Sequence, residues 1–212
     1  DKPYAELYVY TKDGDCTHLM FSYYGDNADM YTHVLDVDTG VVGTYYTYDV
    51  DFIEKDMSAV LYPTFNEESI NDVSAIDMKY HGEEIKYTFD AASSQYTLNG
   101  KDIDILGAEA CDYMTNFFNA LSYLGFDGIA PDATEAFEKA ADEANYDITI
   151  KYSFLDGKSK TIGLMKFEEN KYYLTIDHEY TGLIIRERDI SGTSSFMYWH
   201  DMLVSYMEQK NS

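Results

Sequence analysis

Residues 148–188 read ITIKYSFLDGKSKTIGLMKFEENKYYLTIDHEYTGLIIRER, and this stretch decides the fold class. Apolar and polar residues alternate from Ile148 to Phe154, the period of a half-buried strand. Asp156-Gly157 then gives the chemistry of a tight hairpin turn. A second strand is expected over 160–167, a third over 171–176 and a fourth over 183–188, each separated by polar turn residues. Four short antiparallel strands in succession form a β-meander. A terminal helix is expected over 195–207, where Phe196, Trp199, Leu203 and Tyr206 recur on one face.

The same order stands earlier in the chain. Strands are expected over 7–11, 17–23, 30–37 and 41–48, followed by a short helix over 52–62 that Pro63 closes. Asp13-Gly14 and Asp156-Gly157 lie 143 positions apart. Met30-Tyr31 and Lys171-Tyr172 lie 141 apart, and Gly40-Val41-Val42 and Gly182-Leu183-Ile184 lie 142 apart. So steady an offset marks an internal repeat. Between the two meanders come strands over 73–80, 84–89 and 95–98, with Asn99-Gly100 as a hairpin signal. An amphipathic helix over 109–124 and an Ala/Glu-rich helix over 131–144 follow. The expectation is an α+β protein: antiparallel β-meanders with helices packed on one face, in two related repeat units. Residues 1–66 form a partial unit and 67–212 a complete one, whether as one continuous sheet or as two lobes.

The chain has 212 residues, 39 of them acidic and 15 basic, with a formal net charge of −24. Such a field repels phosphate backbones and anionic lipid, which excludes nucleic acid and a lipid surface as natural partners. Twenty-two tyrosines and 11 phenylalanines stand beside a single Trp, a bias toward strands with half-exposed faces. No apolar run reaches the roughly 18 residues of a membrane helix. Residue 1 is Asp and no leader precedes it, so the expectation is a trimmed chain whose N-terminal signal or anchor has been removed. Cys16 and Cys111 pair in a single disulfide or remain as two inert core thiols; geometry decides.

The segments Val73–Met78 (VSAIDM), Tyr96–Gly100 (YTLNG), Phe117–Leu124 (FFNALSYL), 150–162 (IKYSFLDGKSKTI) and 170–177 (NKYYLTID) together resemble the bacterial family known as domain of unknown function 4340. The resemblance covers about residues 70–207, with a half copy before it. Tyr96 stands where the family usually carries Trp, and Ala144-Asn145-Tyr146-Asp147 departs from its Tyr-Gly-Leu segment. The resemblance implies an exported domain held by one N-terminal membrane helix, encoded beside ABC-type export permeases, with no established catalytic residues.

Catalytic signatures are absent: no C-x-x-C, P-loop, G-x-G-x-x-G, G-x-S-x-G or H-E-x-x-H. The candidates for a hard cation, calcium first, are Asp36 and Asp38, an i, i+2 pair on one strand face, and Asp177 with Glu179 around His178. No complete EF-hand ligand set accompanies them. The functional expectation is a non-enzymatic, extracytoplasmic, membrane-tethered domain without a cofactor, an accessory or scaffold to an export complex that recognises a protein partner through Tyr-rich strands or an open sheet edge. The alternatives are a module binding a cation or a cell-wall saccharide, and a hydrolase using an acidic pair.

Overall fold

The computed structural model describes residues 2–11, 14–22, 30–55, 66–90 and 92–210. Residues 1–61 and 62–212 are two compact units. The chain is α+β with two antiparallel sheets, one in each unit.

The first unit is a four-stranded meander in the order β1 (Ala5–Tyr10), β2 (Cys16–Phe21), β3 (Tyr31–Asp36) and β4 (Val42–Tyr46). The register Leu7↔Leu19 and Phe21↔Val34 brings apolar residues to one face. There Phe21, Val34 and Val50 are buried, with Leu7, Leu19, Phe52 and Ile53 packed around them. The first residues of the helix expected over 52–62 belong to a 3-10 segment, Thr47–Glu54, kinked at Val50. The strand runs straight into it, and Val50 and Phe52 fill the small core from that tight turn. The remainder of that expected helix, from residue 56, lies outside the described residues, as does Asp13 of the first turn signal.

The second unit holds a nine-stranded sheet in the order β8-β7-β6-β5-β10-β11-β12-β13-β9. Its strands are β5 (Val73–Tyr80), β6 (Glu83–Asp90), β7 (Gln95–Leu98), β8 (Lys101–Asp102), β9 (Gly128–Ile129), β10 (Ile148–Phe154), β11 (Ser159–Glu168), β12 (Lys171–Ile176) and β13 (Glu179–Arg186). The β5–β10 pairing, with Met78↔Ile150 and Ile76↔Tyr152, fuses the middle block to the second meander. Each of those four side chains is buried on the same face.

Helix α1 (Ala108–Ser122) covers that face with Ala110, Met114, Phe117, Phe118 and Leu121, the spacing that puts residues on one helical stripe. After α2 (Thr134–Lys139) and α3 (Glu187–Ser191), the last helix α4 (Phe196–Lys210) packs beside α1. Tyr113 of α1 meets Trp199 at 6.3 Å and Tyr206 at 5.9 Å between ring centroids. Phe196 and Leu203 are fully buried, each such side chain contributing roughly 1.5–3 kcal/mol.

The helix expected over 131–144 is only Thr134–Lys139, followed by a 3-10 turn at Glu143–Asn145. The Asp142 carboxylate accepts from the Ala144 N–H, and the Tyr146 hydroxyl donates to the Ala140 carbonyl, so side chains take over the backbone groups that further helix would use. This short helix packs on the opposite sheet face from α1 and α4, where Ala136 and Ala140 meet Met165, Tyr146 and Tyr180. Gly163 makes that layer fit. A Cβ there would collide with the Tyr146 ring and the Thr175 hydroxyl.

Among the described residues, no helix is long and apolar enough to cross a membrane.

Candidate functional site

Strand alternation gives the first sheet two faces of different character. One holds the small core. The other carries Tyr8 and His18 on β1–β2, then Tyr31 and Tyr46 on β3–β4, with Tyr48 just beyond. The Tyr8 and His18 rings stack at 4.2 Å, and Glu6 accepts hydrogen bonds from the Tyr8 hydroxyl at 3.2 Å and from His18 Nε2 at 2.9 Å. Tyr31 lies 5.0 Å from Tyr46, which stacks on Tyr48 at 5.2 Å. Tyr46 is 40% exposed and Tyr48 67%, a large amphipathic area left uncovered.

The edge of this sheet at β4 is equally open. Val41 and Val42 are exposed, and Tyr45 lies with its ring over Gly43, where a Cβ would come within 2.6 Å of it. In the second unit, the sheet face under α1 and α4 is a buried core that includes Tyr87, Tyr152 and Tyr172.

The sequence-nominated cation ligands lie in separate places. Asp36 and Asp38 occupy the β3–β4 turn. Asp36 Oδ1 accepts from the backbone N–H of Asp38 at 3.0 Å and of Thr39 at 3.2 Å, and those bonds, with the Thr39 hydroxyl foremost, hold its carboxyl below the usual range. Asp38 Oδ2 accepts from the His18 N–H at 3.3 Å. Both carboxylates thus fasten a turn. Asp177 and His178 are the central residues of the β12–β13 turn, with φ of 49° and 69°, the left-handed pair of a two-residue hairpin. Asp177 Oδ1 accepts from the Thr161 N–H at 2.7 Å. His178 turns to Tyr146 and Glu143, at 3.4 and 3.6 Å, while Glu179 pairs opposite Ile176 as an exposed strand residue. Among the described residues, no group of three or more His, Cys, Asp or Glu side chains is assembled that could hold a metal ion.

A cleft of about 550 Å3 in the second unit is rich in charge, with Glu68, Asp72, Asp156, Lys158, Lys160 and Asp177 in its wall. Both of its lysines are already paired. Lys160 Nζ bonds Glu68 at 2.9 Å and Asn66 Oδ1 at 3.0 Å, and Lys158 pairs with Asp156 at 2.7 Å. The Lys158 bond holds the Asp156 carboxyl below its ordinary value, the opposite of what a general acid needs. No motif or periodicity singles out Asn66, whose fully buried amide also donates to the Leu121 carbonyl and the Tyr152 hydroxyl.

Both cysteines are free thiols. Cys16 is exposed at the start of β2, outside any core, while Cys111 is half-buried on α1, where desolvation first and then Asp104 and Asp112 push its thiol up. No family model, no curated protein and no solved structure matches this chain.

Proposed function

We propose that this chain is a non-enzymatic recognition domain acting outside the cytoplasmic membrane, normally tethered to it, as an accessory or scaffold to an ABC-type export complex. The observation that carries recognition is the uncovered tyrosine face of β1–β4. Tyr presents a rigid, amphipathic surface at low entropy cost, and it is enriched at protein interfaces. The paired carboxylates of the second-unit cleft favour structural roles over acid–base turnover. The export complex and the location rest on the family resemblance of residues 70–207.

The test is affinity capture with the full-length, tethered protein from gently solubilised membranes of its host. A repeat at raised salt strips contacts made by charge alone. Enrichment of a permease or its ATPase, lost in a Tyr46→Ser/Tyr48→Ser variant, is the expected result. Recovery of background only overturns the reading. The exposed rings also favour the second reading, a cell-wall saccharide module. It requires a thermal shift with glycan fragments that equal ionic strength does not reproduce.

A further inference from the structure

Natural sheets protect their edges with very short strands, prolines or charges. The nine-stranded sheet does so: its two outer strands, β8 and β9, have two residues each. In the first sheet, β1 begins beside Lys2 and Pro3 and carries Glu6. Among the described residues, the β4 edge has none of these devices. Residues 41–48, VVGTYYTY, hold no charge and no proline in a chain of net charge −24.

The bonding pattern fixes what this edge offers. Asp36 N–H donates to Val41 O and Thr47 N–H to Met30 O, so Val41, Gly43, Tyr45 and Thr47 turn their backbone toward β3. Val42 and Thr44 turn their N–H and C=O outward, and Tyr46 its N–H, while the Tyr46 carbonyl caps the following 3-10 segment; β4 pairs with no strand but β3 among the described residues. Carboxylates bracket the strand: Asp36 and Asp38 before it, Asp49 and Asp51 after it, with Asp51 shared by Lys55 at 2.7 Å.

We infer that the open β4 edge is a strand-addition site for an extended, basic segment of a partner protein, with a β-branched centre and Lys or Arg toward its ends. This rests on the recognition reading above and names the partner's chemistry. Backbone bonds to Val42, Thr44 and Tyr46 supply the pairing. The aspartates at either end meet the partner's cations, and the tyrosine rings on both faces offer cation–π contact. A second copy of this chain fits less well, because it brings the same aspartates and the same net charge to the edge.

The test uses the intact protein and three synthetic peptides: one with Lys at both ends around a Val/Thr centre, its Glu counterpart, and the Lys peptide N-methylated at alternate residues. The readout is amide hydrogen exchange resolved by residue. The Lys peptide is expected to protect the amides of Val42, Thr44 and Tyr46, and the other two peptides are not. Thr44→Pro removes an outward N–H without touching the β3 bonds and should weaken binding by about tenfold or more. Should that variant not fold, Thr44→Lys sets a charge on the edge and serves instead. Equal binding by the methylated peptide, or binding without protection of those amides, overturns the site as mere charge adsorption. Protection that rises with protein concentration alone overturns it in favour of self-pairing. Membrane capture that survives Thr44→Pro removes the edge assignment and leaves the recognition reading standing. Peptide binding at the edge with background-only capture does the reverse.

Discussion

The Tyr87 hydroxyl meets Nδ1 of His200 at 2.8 Å inside the core, joining the centre of β6 to α4 across the sheet–helix interface. Tyr87 is fully buried and His200 nearly so, and Phe117 stacks on the Tyr87 ring at 4.2 Å. Burial pushes the Tyr87 hydroxyl far up, so it stays protonated and donates, while the imidazole accepts in its neutral form. Tyr87→Phe keeps the packing and strands the His200 acceptor. The expected loss is about 1–3 kcal/mol in urea unfolding, with an unchanged slope against denaturant.

The same pair sets a pH dependence. Burial, opposed by Asp201 and Glu83, holds the His200 imidazole below its ordinary value of 6.5. Above pH 6.5 neither folded nor unfolded chain is charged at this position, and it adds nothing to the slope. Below 6.5 the unfolded chain binds a proton that the folded chain refuses. Stability therefore falls as pH drops from 6.5 toward the folded value, by at most about 1.4 kcal/mol per pH unit. Urea midpoints at pH 7.5 and 5.5 measure this, and His200→Gln should flatten the difference.

Gly163 and Tyr146 form a second coupled pair. Gly163→Ala should cost roughly 1–3 kcal/mol because the new methyl meets the Tyr146 ring and the Thr175 hydroxyl. Combining it with Tyr146→Ala should cost less than the sum of the two single changes, since the ring that obstructs the methyl has gone. Full additivity in a double-mutant cycle by thermal or urea unfolding would refute the close approach.

Asn66 ties Leu121 at the end of α1, Tyr152 on β10 and Lys160 on β11 through one buried amide. Asn66→Ala leaves the Leu121 carbonyl and the Lys160 ammonium each short of a partner. A loss of about 1–3 kcal/mol in the unfolding of the second unit is expected, because the Leu121 carbonyl keeps the Leu124 N–H and Lys160 keeps Glu68, so neither group is left wholly unpaired. Lys160→Met should cost less, because it unpairs only the partly exposed Glu68 and one lone pair of Asn66.

Tyr46→Ser and Tyr48→Ser should behave differently. Both rings stand on the uncovered face, so each change should move stability by about 1 kcal/mol or less, chiefly through the lost ring stack. A large drop in the thermal midpoint would show that these rings hold the fold together.

The sequence by itself determined the local elements. The alternation of Ile148, Ile150 and Tyr152 with the Asp156-Gly157 turn specified the β10–β11 hairpin, because strand period and turn chemistry are properties of neighbouring residues. The stripe of Met114, Phe117, Phe118 and Leu121 specified α1 for the same reason. At the start of the helix expected over 52–62, Phe52 and Ile53 have helical spacing, yet the core of a four-stranded sheet holds them in a 3-10 turn. Only the tertiary structure decided that β5 pairs with β10, some 70 residues along the chain, since either strand pattern suits many partners. It also decided the fate of the nominated acids. Asp36, Asp38 and Asp177 look alike as i, i+2 or turn carboxylates until backbone N–H groups are seen to occupy them. The tyrosine excess announced sheets with half-exposed faces. Which tyrosines lie buried under α1 and α4 and which stand in solvent depended on where helices packed, and that is set by contacts between residues far apart in the chain.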